Sequence, residues 1–307
     1  MKLERWQLQQ RQSLPLDIKI KLSSERIKQW YEAFDGKVYV SFSGGKDSTV
    51  LLHLVRSIYP DVVGVFSDTG LEYPEIREFV KSIDNIIWLK PKMKFNQVIE
   101  KYGYPIISKE VSQKLFQIVS TKSEKLRNKR LNGDANGNGK LPEKYKYLID
   151  ADFKISNHCC EVLKKQPFKT YETQSGNKPF VGTMAHESRL RQTNYLATGC
   201  NSFSGNRPMS TPIAFWLEQD IWDYIHKFDI PYSKIYDMGY DRTGCMFCMF
   251  GVHMEKGENR FQRMKRTHPK YWDYCINKLG IGHCLDLIKV DYNEYIEPEK
   301  QAELNME

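Results

Sequence analysis

The feature that most constrains this chain is a glycine-containing turn between a short β-rich run and an apolar helix. Residues 37–42 have strand composition, residues 48–55 have that of a buried helix, and the turn consists of Ser43, Gly44, Gly45, Lys46, Asp47 and Ser48. Glycine lets backbone N–H groups approach an anion, the next helix N-terminus attracts negative charge, and Lys46 adds a full positive charge. The turn therefore predicts a phosphate-binding loop. The alternative is a plain strand-to-helix turn that Asp47 caps.

The loop differs from a Walker loop, because the four-residue spacer before Gly-Lys-Ser/Thr is missing. Further apolar, β-rich runs follow at residues 62–67, 86–89 and 180–183, and Pro74 begins a predicted helix between the first two. Strands that alternate with helices predict a mostly parallel sheet, which binds ligands at the carboxyl ends of its strands. The expected fold class is α/β and Rossmann-like, with helices flanking the sheet and a smaller cysteine-containing C-terminal region.

Changes in composition predict three parts of the chain. Residues 1–36 form a lead-in helix, residues 37–251 form the nucleotide-binding domain with a helix over 217–228, and residues 252–307 form a helical extension. Within the domain, residues 121–147 are rich in Lys, Arg, Asn and Gly, which predicts an exposed, flexible, basic loop.

The charge balance favours a phosphate-bearing partner. The chain has 46 Lys+Arg and 38 Asp+Glu, a net charge of +8, which is too modest and too dispersed to establish nucleic-acid binding. It contains no apolar run of about 18 residues, and its first residues lack the apolar core of a secretory signal. We therefore expect a cytoplasmic protein without a membrane partner.

Four of the seven cysteines fall into two groups, Cys159-Cys160 and Cys245-x-x-Cys248. In a reducing compartment such clusters indicate a metal or an iron–sulfur site more than disulfides. Thiolates suit both iron–sulfur clusters and zinc, but adjacent cysteines reach different irons of a cluster more easily than one zinc ion. Zinc, and unliganded core or redox cysteines, are the alternatives. The remaining cysteines, Cys200, Cys275 and Cys284, stay ungrouped.

Several motifs in order resemble one known superfamily. Residues 40–48 resemble the PP-loop of the proteins that include phosphoadenylyl-sulfate and adenylyl-sulfate reductases, ATP sulfurylase small subunits and PP-loop thiolation enzymes. Residues 66–75 resemble the second-strand motif of this superfamily, and residues 181–183 with 187–191 resemble the third; the match extends over residues 37–251. The resemblance implies an adenine nucleotide alpha hydrolase-like fold.

The resemblance also implies roles for individual residues. The loop from Ser43 to Ser48 would hold phosphate or sulfate, with Asp68, Gly182 and Thr183 beside the nucleotide. Lys46, Asp47, Arg189 and Arg191 are the residues expected to act in catalysis, the arginines by facing the anionic end, unless they are solvated surface residues. The two cysteine groups resemble the [4Fe–4S] ligand set of adenylyl-sulfate reductases. Lys164, Lys165 and Arg242 would then surround the cluster, or they are solvated.

One departure from the reductases divides the functional hypotheses. Sulfite-releasing reductases use a nucleophilic cysteine in a C-terminal Glu-Cys-Gly-Leu/Ile-His segment, and residues 292–307 contain no cysteine; only Cys284, in Gly-His-Cys, keeps similar residue types. The first hypothesis therefore follows the resemblance to the iron–sulfur PP-loop proteins of DNA phosphorothioation and of tRNA thiolation. It implies cleavage of ATP at the α-phosphate with Mg²⁺, for sulfur transfer to DNA or tRNA from a donor such as a cysteine desulfurase.

Two other hypotheses remain open. The second is reduction of adenylyl sulfate, or of its 3′-phosphate, with a thioredoxin-like partner. The third is a non-catalytic nucleotide-binding subunit of a modification complex, whose basic segment 121–147 docks on DNA or a partner protein.

Overall fold

The computed structural model describes residues 2–205 and 207–295. The strands are β1 (Val38–Ser41), β2 (Gly64–Ser67), β3 (Ile86–Leu89), β4 (Ile106–Ile107), β5 (Lys178–Val181), β6 (Asn201–Ser202), β7 (Met209–Ser210) and β8 (Met249–Phe250). Six of them form one sheet in the order β3-β2-β1-β5-β7-β6, in which the β6–β7 pair is antiparallel and the others are parallel. The α/β prediction with a mostly parallel sheet is confirmed.

Helices lie between and around these strands. The α-helices are α1 (Arg5–Gln12), α2 (Leu16–Ala33), α3 (Lys46–Arg56), α4 (Pro74–Lys81), α5 (Phe95–Tyr102), α6 (Lys109–Ser120), α7 (Glu124–Asn132), α8 (His158–Cys160), α9 (Gln166–Ser175), α10 (Arg189–Thr198), α11 (Glu218–Lys227), α12 (Arg260–Thr267), α13 (Pro269–Asp273) and α14 (Ile281–Leu287). Glu143–Asp150, Ala185–Glu187 and Val252–Met254 form 3₁₀ turns, and Glu161–Lys165 and Tyr274–Lys278 form π-helical turns. Among the described helices, none has both the length and the apolar character needed to cross a membrane.

The described residues divide into two compact units. The first comprises residues within 1–68, 72–90 and 167–243, and the second comprises residues within 69–71, 91–166 and 244–307.

In the first unit, β1 lies between β2 and β5 and places the loop that follows it. The backbone register puts Val40 opposite both Gly64 and Phe180. Because β2 follows β1 directly in the chain whereas β5 comes much later, the strand order reverses at β1. In open parallel sheets, ligands bind at such a point, outside the carboxyl ends of the strands. The loop of residues 43–48 begins at that end of β1.

Buried polar contacts dock α2 onto the start of α11. The Lys19 ammonium and the Asp220 carboxylate form an ion pair of 2.6 Å with both side chains largely buried. Trp216 donates its indole N–H to the Ser23 hydroxyl over 2.9 Å, and this hydroxyl donates to a backbone carbonyl. Burial of an ion pair is tolerated only with such paired geometry, so these contacts define where α11 begins.

The segment predicted as a basic loop, residues 121–147, contains the helix α7. The hydroxyl of Ser123 accepts a hydrogen bond from the Leu126 N–H and caps the helix. None of the α7 residues is buried, and its hydrophobic pattern shows no apolar face. A helix that is polar all round lacks the periodicity by which a sequence reveals helices, which is why composition alone indicated a loop.

In the second unit, residues 103–107 join two distant parts of the chain. The Tyr104 N–H donates to the Lys154 carbonyl, and the Ser156 N–H donates to the Tyr104 carbonyl. Two residues later, β4 pairs with β8 in parallel, with Ile106 opposite Met249. The peptide segments that carry the two cysteine groups therefore flank the same short stretch of backbone.

Candidate nucleotide site and cysteine group

The loop after β1 closes around the side chain of Ser48. The Ser43 N–H donates to the Ser48 hydroxyl over 3.1 Å, and this hydroxyl donates to the Gly45 carbonyl over 2.9 Å. Gly44 adopts a φ of +73°, and a Cβ there would lie 2.7 Å from a methyl carbon of Val80. Only glycine fits this combination of backbone angle and close packing, so the loop shape depends on that residue.

Lys46 is the first residue of α3 and is 4% exposed. Its backbone N–H donates to the Tyr236 hydroxyl over 2.7 Å, and its ammonium donates to the Asp241 carbonyl over 2.7 Å. The ammonium also forms an ion pair of 3.0 Å with Glu218 and lies 5.9 Å from the ring centre of Trp222. These contacts hold the positive charge at the N-terminal end of the helix that follows the loop.

A cavity of about 420 Å³ opens beside this loop. Most of the residues predicted to bind the nucleotide line it: Ser43, Gly45, Lys46, Asp47, Ser48, Gly182 and Thr183. The other lining side chains that could donate a hydrogen bond to an anion are Ser41, His186, Arg191, Tyr236, Arg242 and Thr243, and the lining also includes the carboxylates of Glu187 and Glu218. Because the loops after β1 and β5 both contribute, the cavity lies where the topology of a parallel sheet favours ligand binding.

Two arginines reach the cavity and share one carboxylate. Glu187 forms ion pairs with the guanidinium groups of Arg191 and Arg242, the latter at 3.0 Å. The same carboxylate accepts the Met184 N–H over 2.9 Å and is 13% exposed. Glu187 therefore orients both cations from a fixed position. Arg242, expected either around a cluster at the cysteines or in solvent, lines this cavity, and 72% of its side chain is exposed.

Three predicted residues do not belong to the cavity lining. Arg189, the first residue of α10, is exposed and does not line the cavity, whereas Arg191 does. Asp68 pairs with Arg77 at 2.9 Å and is also outside the lining. Gly44 is buried, and its backbone angle and close packing determine the shape of the loop. The roles expected for Arg189 and Asp68 stay predictions.

Asp47 brings a carboxylate into a cavity otherwise suited to anions. Its Oδ1 atom is buried and has no hydrogen-bond partner among the described residues. Burial raises the pKa of this carboxyl group, while the nearby Lys46 ammonium acts in the opposite direction. An unpaired buried carboxylate oxygen is costly, which indicates a position for a cation or a donor group that arrives with a ligand.

Two acidic residues of this cavity, Glu187 and Glu218, are not among the residues predicted from the sequence. Phosphate is an anion, so the expected partners are cations and N–H groups. The only available signal for Glu187 was its place within the motif of residues 187–191.

The four grouped cysteines come together in the second unit. The Cys159 thiol donates to the Cys160 sulfur over 4.0 Å. This hydrogen bond lowers the pKa of Cys160, and the charges of Lys109, Lys164 and Lys165 act in the same direction. The pKa of Cys159 is raised by the same hydrogen bond, by burial and by the charges of Cys160, Cys248 and Cys245. The charges of Lys164 and Lys165 thus act on Cys160, while the side chain of Lys165 is 59% exposed and pairs with Glu161. A place around a cluster stays a prediction for both lysines.

The four thiols influence one another electrostatically, and lysines near Cys160 help to lower the pKa of that thiol, whereas burial raises the pKa of Cys248. In residues 2–205 and 207–295, however, no three or more Cys, His, Asp or Glu side chains are arranged to hold a metal ion. The four sulfur atoms are a donor set that suits a soft metal ion or an iron–sulfur cluster.

The three other cysteines are buried. Burial raises the pKa values of Cys200, Cys275 and Cys284 above the ordinary range of a thiol. A nucleophilic cysteine needs an accessible thiolate, so these environments do not suit that role.

Comparison with known proteins decides the family. The model of the phosphoadenosine phosphosulfate reductase domain matches residues 37–135 and 86–250. The chain belongs to this family. The membership predicted from the PP-loop and the two later motifs is confirmed.

The relatives within and around this family differ in length. An uncharacterized protein of Methanocaldococcus jannaschii is 30% identical over 82% of this chain and 43% of its own length. The chain spans about half the length of the first curated relatives it matches. The adenosine 5′-phosphosulfate reductase of Bacillus cereus is 24% identical over 75% of this chain and 80% of that protein. The crystal structure of phosphoadenylyl-sulfate reductase from Candida auris, a phosphate complex, aligns with a TM-score of 0.43 and 17% identity over 80% of this chain and 97% of that one.

Proposed function

We propose that this chain is an enzyme that binds ATP in the loop cavity and cleaves it at the α-phosphate for a sulfur-transfer reaction. The observation that carries the proposal is the convergence of Lys46, Arg191 and Arg242 with the loop on one cavity of about 420 Å³. Several cations and backbone N–H groups around one cavity suit the charge that develops on a departing pyrophosphate.

In the proposed reaction, an oxygen of the acceptor attacks the α-phosphorus, and the bond from this phosphorus to the bridging oxygen of pyrophosphate breaks. The product is an adenylylated acceptor, and a sulfur nucleophile then displaces AMP from it. Lys46 and the amides of the loop stabilise the pyrophosphate, and Arg191 binds the phosphate chain.

Asp47 would hold the Mg²⁺ ion that accompanies ATP. Its buried Oδ1 is unpaired among the described residues, and carboxylate oxygen is a preferred ligand of this hard cation. When bound, Mg²⁺ neutralises charge on the leaving pyrophosphate.

A second candidate is the reduction of adenylyl sulfate or its 3′-phosphate, which the named relatives such as the Bacillus cereus reductase favour. Such a reaction needs a thiol nucleophile and a thioredoxin-like reductant. All seven cysteines of this chain are accounted for by the grouped four and by the buried Cys200, Cys275 and Cys284. The raised pKa values of those three support the ATP reaction as the first choice.

For the grouped cysteines we propose a [4Fe–4S] cluster held by Cys159, Cys160, Cys245 and Cys248, with zinc as the alternative. A bound cluster would supply one-electron redox chemistry. The lowered pKa of Cys160 supports a thiolate at this position at neutral pH.

The same proposal includes a sulfur donor and a sulfur acceptor. A cysteine desulfurase is the expected sulfur donor, and DNA or tRNA is the expected acceptor. Lys125 and Lys129 are exposed and lie one turn apart on α7, which supports a contact with a polyanion.

Product analysis distinguishes the two reactions. Anaerobically purified protein is given ATP and Mg²⁺ in one reaction, and adenylyl sulfate or its 3′-phosphate with reduced thioredoxin in another. AMP and pyrophosphate from the first reaction are expected. Sulfite from the second, without AMP formation in the first, would contradict the proposal and establish a reductase. The variant Lys46→Met is the control, because activity in the loop cavity must depend on the Lys46 ammonium.

A further inference from the structure

The ammonium of Lys46 has partners within the protein. It donates to the Asp241 carbonyl over 2.7 Å and pairs with the Glu218 carboxylate at 3.0 Å, and its side chain is 5% exposed. A phosphate that binds to the loop has to share this ammonium. Because the Asp241 carbonyl belongs to the backbone, Glu218 is the partner whose side chain can leave.

The two glutamates of the cavity differ in how firmly they are held. Glu187 is 13% exposed and binds a backbone N–H in addition to both arginines, Arg191 and Arg242. Glu218 is 54% exposed and is the first residue of α11. An exposed carboxylate regains water when its ion pair breaks, so releasing Glu218 costs much less than releasing Glu187.

The position of Glu218 is set by the helix that carries it. The Asp220 carboxylate accepts the Leu217 N–H over 2.7 Å and pairs with the buried Lys19 ammonium. The helix start is therefore anchored independently of Lys46. Only the side chain of Glu218 needs to rotate when a ligand enters.

We propose that Glu218 is an internal competitor of the phosphate ligand. Its carboxylate pairs with the Lys46 ammonium, gives way when pyrophosphate or the phosphate chain of a nucleotide binds, and returns when the product leaves. Glu218 thereby weakens phosphate binding and promotes release of pyrophosphate. This inference rests on the proposed function of the loop as a pyrophosphate site.

The test uses inorganic pyrophosphate as the probe and isothermal titration calorimetry at constant ionic strength. Glu218→Gln keeps the size of the side chain and removes its charge. We expect its pyrophosphate affinity to rise about three- to tenfold. The free energy of an ion pair with one buried partner lies at or above the upper end of the range for surface ion pairs. Asp223→Asn is the matched control: it removes one exposed carboxylate from the same helix, and Asp223 accepts a hydrogen bond from Gln219.

A double variant tests whether the effect passes through the lysine. In a Lys46→Met background, Glu218→Gln should change pyrophosphate affinity by less than about twofold, because the competed cation is gone. Equal gains in Glu218→Gln and Asp223→Asn, or an undiminished gain in the Lys46→Met background, would show a general effect of net charge and overturn the inference.

The same measurements separate this inference from the proposed function. If Lys46→Met weakens pyrophosphate binding but Glu218→Gln leaves it unchanged or weaker, the loop binds pyrophosphate and the competitor role is wrong. If Lys46→Met has no effect on pyrophosphate affinity, the proposed pyrophosphate site itself is wrong. An increased pyrophosphate inhibition of ATP cleavage in Glu218→Gln is expected as an independent readout.

Discussion

Replacing Lys46 by methionine separates ligand binding from folding stability. The substitution keeps an unbranched apolar stem at a position that is 4% exposed and removes the ammonium. A hydrogen bond to a charged group contributes about 1.5–3 kcal/mol, and each 1.4 kcal/mol is a tenfold change in affinity. We therefore expect the affinity for pyrophosphate to fall by about 12- to 150-fold.

The free energy of unfolding should change much less. The partners that lose the ammonium are the Glu218 carboxylate, which is 54% exposed, and the carbonyl of Asp241, an exposed residue. Both groups can bind water instead, so we expect a loss of stability below about 1 kcal/mol.

Titration calorimetry with pyrophosphate and urea denaturation measure the two quantities. Lys37→Met is the control for net charge, because Lys37 is an exposed lysine just before β1. An unchanged pyrophosphate affinity in Lys46→Met would refute the phosphate-loop reasoning. A loss of several kcal/mol in the free energy of unfolding would show that the lysine is mainly structural.

Three other predictions concern the cysteines and the backbone around both sites. Cys245→Ser should abolish the brown absorbance and iron of anaerobically purified protein while Cys275→Ser retains them; a wild type with stoichiometric zinc and no iron contradicts the cluster. Gly103→Ala should lower stability and iron content together, because its φ is +102° and a Cβ would overlap the Lys154 backbone; iron content equal to wild type contradicts this. Gly182→Ala should weaken pyrophosphate binding severalfold in calorimetry, because its Cβ would lie 3.1 Å from a loop carbonyl oxygen; unchanged affinity contradicts this.

Strand positions could be predicted closely, because burial leaves a local pattern. The runs at 37–42, 62–67 and 86–89 became β1, β2 and β3 with bounds that differ by at most two residues. The polar helix α7 was missed for the opposite reason, since it buries no residue.

The choice between the two predicted arginines shows a limit of motif reasoning. Arg189 and Arg191 are two positions apart on α10, and successive residues of an α-helix are separated by about 100° around its axis. Two such side chains therefore point in nearly opposite directions, and only Arg191 lines the cavity. A motif names both residues but does not state how the helix is rotated on the sheet.

The sequence by itself determined which chemical groups each candidate site contains: a glycine loop with one lysine, and two pairs of thiols. These properties depend on neighbours along the chain, so a local pattern contains them. Tertiary structure alone decided which distant groups meet. The pairing of Lys46 with Glu218 requires α11 to dock beside the loop. The influence of Cys245 on Cys159, 86 positions earlier, requires both segments to pair with residues 103–107. Such contacts arise from strand pairing and helix docking between remote segments, which no local pattern encodes.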